Sequence, residues 1–96
     1  MSGGRRLFLD LQVTYRHGKP SIAYLNFSGA PDRRAARTDE VQKGVLVDYL
    51  ADGSPMGIEF IHPSAISLEE AVNIVQQVTG EAVPAEELAP LHYGAA

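Results

Sequence analysis

Two carboxylates are the residues best placed to do chemistry. Asp48 and Glu59 sit on the two arms of the stretch GVLVDYLADGSPMGIEF, residues 44–60, either side of Asp52-Gly53. If Asp52-Gly53 is a two-residue hairpin turn, Val45 faces Phe60, Val47 faces Ile58 and Tyr49 faces Met56 on one side of the ribbon. Asp48 then sits opposite Gly57 on the other side, and Glu59 is its diagonal neighbour, roughly 7–8 Å away. A carboxylate pair at that spacing suits acid–base work, or two ligands of a metal. A hard cation wants six or more oxygens, however, and no histidine joins these two at ligand spacing. The side chains that share their face are Leu46, Leu50 and Ile61, so the bare residues favour a cross-strand polar pair over a metal or hydrolytic centre at Asp48 and Glu59.

The other chemical groups are dispersed. His17, His62 and His92 fall in a turn, a strand end and a tail, with no zincin spacing. Ser28-Gly29 and Gly53-Ser54 lack the G-x-S-x-G of a nucleophile elbow. There is no cysteine, which excludes disulfides and thiolate metal sites and fits a cytoplasmic protein. Arg33, Arg34 and Arg37 are the densest basic group, and a solvated loop explains them better than the alternative, a phosphate or nucleic-acid contact. No cofactor is expected.

The elements that must position these groups are legible from periodicity. Residues 7–15, LFLDLQVTY, alternate strictly, with Leu7, Leu9, Leu11, Val13 and Tyr15 on one face and Phe8, Asp10, Gln12 and Thr14 on the other. RHGKP turns the chain into a second strand, 21–27. A three-residue loop, His17-Gly18-Lys19, sets Ala23, Leu25 and Phe27 beside the Leu9/Leu11/Val13 face. A two-residue loop would set Ile22, Tyr24 and Asn26 there instead, and flip the strand. The first is preferred, because the second buries Asn26 in an apolar layer. Residues 28–36 read as a loop, and Thr38 to Gln42 as a short charged edge strand. The hairpin of 45–50 and 56–61 follows.

After His62-Pro63 the period changes from two to 3.6. Ser67 and Glu70 form a capping box, Leu68, Ala71, Val72, Ile74, Val75 and Val78 share one helical face, and Gly80 is the stop. Pro84 suits the first position of a second helix, Ala85 to Leu88. The expected fold is α+β: an antiparallel sheet of about five strands, built from two hairpins, with the amphipathic helix on one face. Ninety-six residues make a single domain, 1–96, with a sheet over 9–65, a helical segment over 67–89, and loose tails at 1–6 and 90–96.

One helix covers one sheet face. The second face carries Phe8, Ile22, Tyr24, Leu46, Leu50 and Ile61 among its polar residues, and half a dozen large apolar groups left in water mark an interface. These six are therefore the candidate interface of a homo-oligomer, most simply a two-fold dimer. Charge points the same way. Residues 1–43 carry all eight basic side chains and four acidic ones, net +4, while residues 44–96 carry eight acids and no base, net −8. Such a polarised chain suits contact between unlike surfaces, or docking of another small protein. The overall charge of −4 argues against nucleic acid, and no apolar run reaches the roughly 20 residues of a membrane span.

The residues Arg37-Thr38-Asp39-Glu40, Gly44 to Tyr49, Asp52-Gly53 and Gly57-Ile58-Glu59 resemble DUF2283, a small bacterial and archaeal family of unknown function. Tyr15 and Tyr24 fit its opening strands, and the resemblance spans about residues 9–65. It implies two hairpins in one sheet and no agreed activity; the frequent setting of such genes beside other small genes implies an antitoxin-like partner protein. This chain departs from the family in the first turn, where Arg16, His17 and Lys19 replace acidic residues, and at Leu50, where an acid is common. Taken together, the sequence favours a non-enzymatic, self-associating interaction module over an enzyme.

Overall fold

The computed structural model describes residues 9–27 and 34–92. The chain runs β1 (Asp10–Arg16), β2 (Lys19–Asn26), β3 (Arg37–Gln42), β4 (Val45–Tyr49), β5 (Pro55–Ile61), then helix α1 (Leu68–Thr79) and the short α2 (Ala85–Leu88). Single 3-10 turns occupy Pro63–Ala65 and Ala89–Leu91. The five strands form one antiparallel sheet in the order β1-β2-β5-β4-β3. The α+β reading stands, with one refinement. β3 pairs with β4, so the second half is a three-strand meander rather than a lone hairpin, and it joins the first hairpin along β2–β5.

The β1–β2 register places Leu11 opposite Leu25 and Val13 opposite Ala23, the preferred alternative. The loop that achieves this differs from the expected one. Lys19 pairs with Arg16, so the turn is only His17-Gly18, and both central residues have positive φ (+53° and +77°), the type I′ signature. Such a turn alone would bring Ile22, Tyr24 and Asn26 to the core. A bulge follows at once: Tyr15 pairs with Pro20 but Thr14 pairs with Ile22, so Ser21 is the extra residue and the faces are restored.

The β4–β5 hairpin solves the same problem. Val45 opposes Phe60, Val47 opposes Ile58 and Asp48 opposes Gly57, as expected. The turn, however, is Ala51-Asp52-Gly53. Leu50 O accepts from Gly53 N at 2.9 Å, Leu50 N–H donates to Ser54 O at 2.8 Å, and of the turn residues only Gly53 has positive φ (+89°). This is a three-residue loop with its last residue left-handed, not a type I′ turn at Asp52-Gly53. Asp52 Oδ1 holds it by accepting from Ser54 N at 2.9 Å and Ser54 Oγ at 2.6 Å. Tyr49 therefore pairs with Pro55 rather than Met56, and Met56 is the bulge that brings Gly57 back opposite Asp48. Pro55, without a donor, takes the first position of β5, where a proline is tolerated.

One face of the sheet holds the core. Ala23, Leu25, Phe27, Val45, Val47, Ile58 and Phe60 are buried there against Ile66, Ala71, Ile74, Val75, Val83, Leu88 and Leu91, with Leu9, Leu11, Val13, Leu68, Val72 and Val78 packed around them. Burying each large apolar side chain contributes about 1.5–3 kcal/mol. The helix is capped as its sequence demands. Glu70 N–H donates to Ser67 Oγ at 3.1 Å, Ser67 N–H donates to Glu70 Oε1 at 3.4 Å, and Gly80 closes the helix at φ +77°.

Two C-terminal expectations need correction. Pro84 is the extended residue before α2, ψ 142°, and Ala85 is the first helical residue. The loose tail does not begin at residue 90, because Leu91 is fully buried and His92 Nε2–H donates to Ile66 O. Leu88 and Leu91, three residues apart, point the same way and close the end of the core. Residues 1–6, Phe8 and residues 93–96 lie outside the described residues. No described helix is long and apolar enough to cross a membrane.

Replacing Ser67 by Ala removes the acceptor of the Glu70 N–H and leaves only the bond from the Ser67 N–H to Glu70 Oε1. The expected loss is about 1 kcal/mol, or about 4–8 °C in the thermal midpoint of a domain this size, read by circular dichroism.

Candidate functional site

The sheet face away from the helices can be read row by row from the register. One row runs Asp10, Asn26, Gly57, Asp48, Thr38, and the next runs Gln12, Tyr24, Glu59, Leu46, Glu40. Beyond it lie Thr14, Ile22 and Ile61. None of these residues belongs to the core cluster. Asp48 and Glu59 thus share a face on neighbouring strands, as their spacing implied.

Their surroundings are not those of an empty carboxylate pair. Tyr24 donates its phenolic hydrogen to Asp48 Oδ2 at 2.9 Å, and Thr38 donates from Oγ1 to Asp48 Oδ1 at 2.5 Å. Each carboxylate oxygen of Asp48 is therefore engaged, one from β2 and one from β3. Tyr24 spans β5 to make its bond, and Gly57 makes the crossing possible. A Cβ built on Gly57 would sit 2.3 Å from the Tyr24 hydroxyl oxygen and 2.5 Å from Cζ. Gly57 is buried beneath the ring. Tyr24, expected in an apolar contact, instead makes a polar bond to Asp48. The signal that points to it is a glycine between Asp48 and a tyrosine one row away on the neighbouring strand.

Burial, the hydrogen bond to Asp48, and the charges of Asp48 and Glu59 all raise the Tyr24 phenol above its ordinary pKa. The phenol stays protonated and stays a donor, which is the form that Asp48 requires. Among the described residues no group of three or more His, Asp or Glu side chains is arranged to hold a metal ion. Both Asp48 oxygens thus accept from protein hydroxyls, which ties the β4 carboxylate to β2 and β3.

The remaining candidates separate. Of the interface residues, Ile22 and Ile61 face each other and are 42% and 39% exposed, so they form the most open apolar pair on this face. Leu46 and Tyr24 are half-buried in the adjoining row, and Leu50 is half-buried at the β4 end beside Arg34, Ala51 and Asp52. Phe8 and Arg33 lie outside the described residues. Arg37 stacks over the Tyr49 ring at 4.3 Å and pairs with Asp39 at 3.2 Å. His17 and His62 occupy two left-handed corners, φ +53° and +55°, and His92 is tied to Ile66.

Two outcomes follow from this network. Gly57→Ala forces the Tyr24 ring off its place and breaks the bond to Asp48, at a cost of about 1–3 kcal/mol. Urea unfolding should show that penalty in the native background and a much smaller one in a Tyr24→Ala background, where the ring is absent. Second, because folding raises the Tyr24 pKa, the folded state holds this proton more tightly than the unfolded state. Its contribution to stability is intact below pH ~10 and is lost as the pH rises beyond that value. In an ultraviolet titration, Tyr24→Phe should remove a phenol that ionises later than an ordinary tyrosine.

No curated protein and no solved structure gives a significant match to the chain. From β2 to the 3-10 turn after β5, residues 22–64, the chain matches the DUF2283 family, described as a protein of unknown function, as the resemblance in its sequence implied.

Proposed function

We propose that this chain is a non-enzymatic interaction module that self-associates through the sheet face opposite α1. The observation that carries this reading is the pair Ile22 and Ile61, adjacent in the β2–β5 ladder and both more than a third exposed. Leu46 lies one row further along β4, half-buried. Exposed β-branched neighbours gain from being covered, each by up to about 1.5–3 kcal/mol. A two-fold partner that lays the same row across its own copy covers all of them at once.

The polar groups of that face fit a rim rather than a reaction centre. Asp48 is held between Tyr24 and Thr38, which keeps a charge fixed at the border of the apolar row. Asp10, Glu40, Asp48 and Glu59 all lie on this face. Two copies brought together bring these acids together as well. Such repulsion limits the affinity and makes it depend on salt. It also favours a second, basic protein over a second copy wherever one is present, and this is how a small partner protein of the antitoxin type would compete.

Light scattering at micromolar concentration is the test. The expected mass is twice that of the chain, with association strengthening as salt rises. Ile61→Asp should give the chain mass with an unchanged circular dichroism spectrum, and Ile22→Asp should do the same. A monodisperse monomer for the native chain at every salt concentration would remove the proposal.

A further inference from the structure

At the end of the sheet the β1–β2 turn meets the corner that follows β5. A cleft of about 370 Å³ opens there, lined by Arg16, His17, Lys19, Pro20, Ser21, His62 and Ser64. Among the described residues no carboxylate lines it. Four of the seven side chains are cationic or carry ring nitrogens, and two more are hydroxyls.

The register makes this concentration costly. Arg16 and Lys19 are direct partners in the antiparallel ladder, one on each side of the His17-Gly18 turn. Directly opposed residues have Cβ atoms about 4.5–5.5 Å apart, and like charges at that spacing are destabilising. An acid nearby would relieve the repulsion. Yet neither Arg16, Lys19, His17 nor His62 makes a side-chain hydrogen bond or ion pair among the described residues, where the ion pair is Arg37–Asp39. Eight acidic side chains lie in residues 44–96 and none lines this cleft.

The backbone holds the two walls together. His62 N–H donates to Ser21 O at 3.0 Å, which fastens the corner after β5 to the bulge in β2. His17 and His62 are the non-glycine residues with positive φ among those described, and both stand on the wall of this same cleft. A left-handed conformation is uncommon for a residue other than glycine. It places each imidazole at a corner of the chain, outside the ladders on either side. The cleft is thus a set of solvent-facing donors with no carboxylate beside them: one guanidinium, one ammonium, two imidazoles and two hydroxyls. A tetrahedral oxyanion has the acceptor number and charge to satisfy such a set, with Arg able to engage two oxygens at once.

We propose that the cleft between the β1–β2 turn and the β5 corner is a binding site for a phosphate group, with Arg16 and Lys19 supplying the charge and His17, Ser21, His62 and Ser64 the surrounding donors. The site borders the Ile22/Ile61 pair through Ser21 and His62, but neither Ile22 nor Ile61 lines it, and its donors do not depend on self-association.

The experiment is a titration of the full chain with inorganic phosphate, followed by amide chemical shifts at constant ionic strength, with chloride as the matched control. Saturable shifts confined to residues 16–21 and 61–65 are expected. The Arg16→Ala/Lys19→Ala double variant should bind at least tenfold more weakly, and Lys43→Ala, outside the cleft, should bind as the native chain does. Both replaced residues are exposed, and an unchanged amide spectrum elsewhere confirms that the variant is folded. A parallel titration with phosphoserine amide distinguishes the sources. Tighter binding of the ester identifies a phosphorylated molecule as the ligand, and tighter binding of the free ion identifies phosphate itself. Shifts that do not saturate, that spread over the other basic residues, or that survive in the double variant would overturn the proposal.

Discussion

The core of this protein depends on parity. Side chains in a strand alternate between two faces, so each turn decides which set reaches the helix. In both hairpins that surround the core, the turn has the wrong count by one. His17-Gly18 would turn Ala23 and Leu25 outward, and Ala51-Asp52-Gly53 would do the same to Ile58 and Phe60. Ser21 and Met56 are inserted just beyond those turns, and each returns its strand to the right face. β3 carries a third irregularity, between Glu40 and Gln42, which leaves Val41 as the extra residue at 47% exposure. The turns and insertions of the two hairpins thus place Leu11, Val13, Ala23, Leu25, Val45, Val47, Ile58 and Phe60 on the core face and leave the polar rows outside.

The same constraint brings Asp48 to Tyr24. Without the bulge at Met56, Asp48 would oppose Met56 and Gly57 would move to the helix side. The slot over which the tyrosine ring lies would be gone. Asp48, Tyr24, Thr38 and Gly57 belong to four strands and are joined by two hydrogen bonds and one missing Cβ. The cluster links β2, β5, β4 and β3 across the face opposite α1, where no helix of the described residues packs. It is a polar clasp on the side that lacks a core.

The sequence made some of this legible and hid the rest for identifiable reasons. Strand alternation in β1, the capping box at Ser67 and the stop at Gly80 are local patterns, and each appears where its residues announce it. The partners across β4 and β5 were also legible, because Val45, Val47, Ile58 and Phe60 admit only one shared face. Turn lengths were not. A two-residue turn plus a bulge gives the same facing as a three-residue turn, so hydrophobic pattern cannot separate the two. The Tyr24–Asp48 bond was hidden differently. It joins residues 24 positions apart and depends on β2 lying beside β5, a neighbour relation that no single strand encodes. The buried end at Leu91 was missed because a seven-residue tail with Gly and Ala resembles loose chain unless the open end of the core is seen.

The strand order carries a kinetic consequence. β1–β2 and β3–β4–β5 are each joined by short turns, so each forms from contacts close in sequence. The seam between them, β2 with β5, pairs Ile22 with Ile61 and Asn26 with Gly57 across more than thirty residues of chain. Closing that loop is entropically costly before any of its contacts is made. The sheet therefore assembles as two prefabricated ribbons that must find one another, and the encounter at the seam sets the pace. Until it happens Tyr24 has no Asp48, the helix has only half a floor, and the chain shows its apolar side to whatever is near.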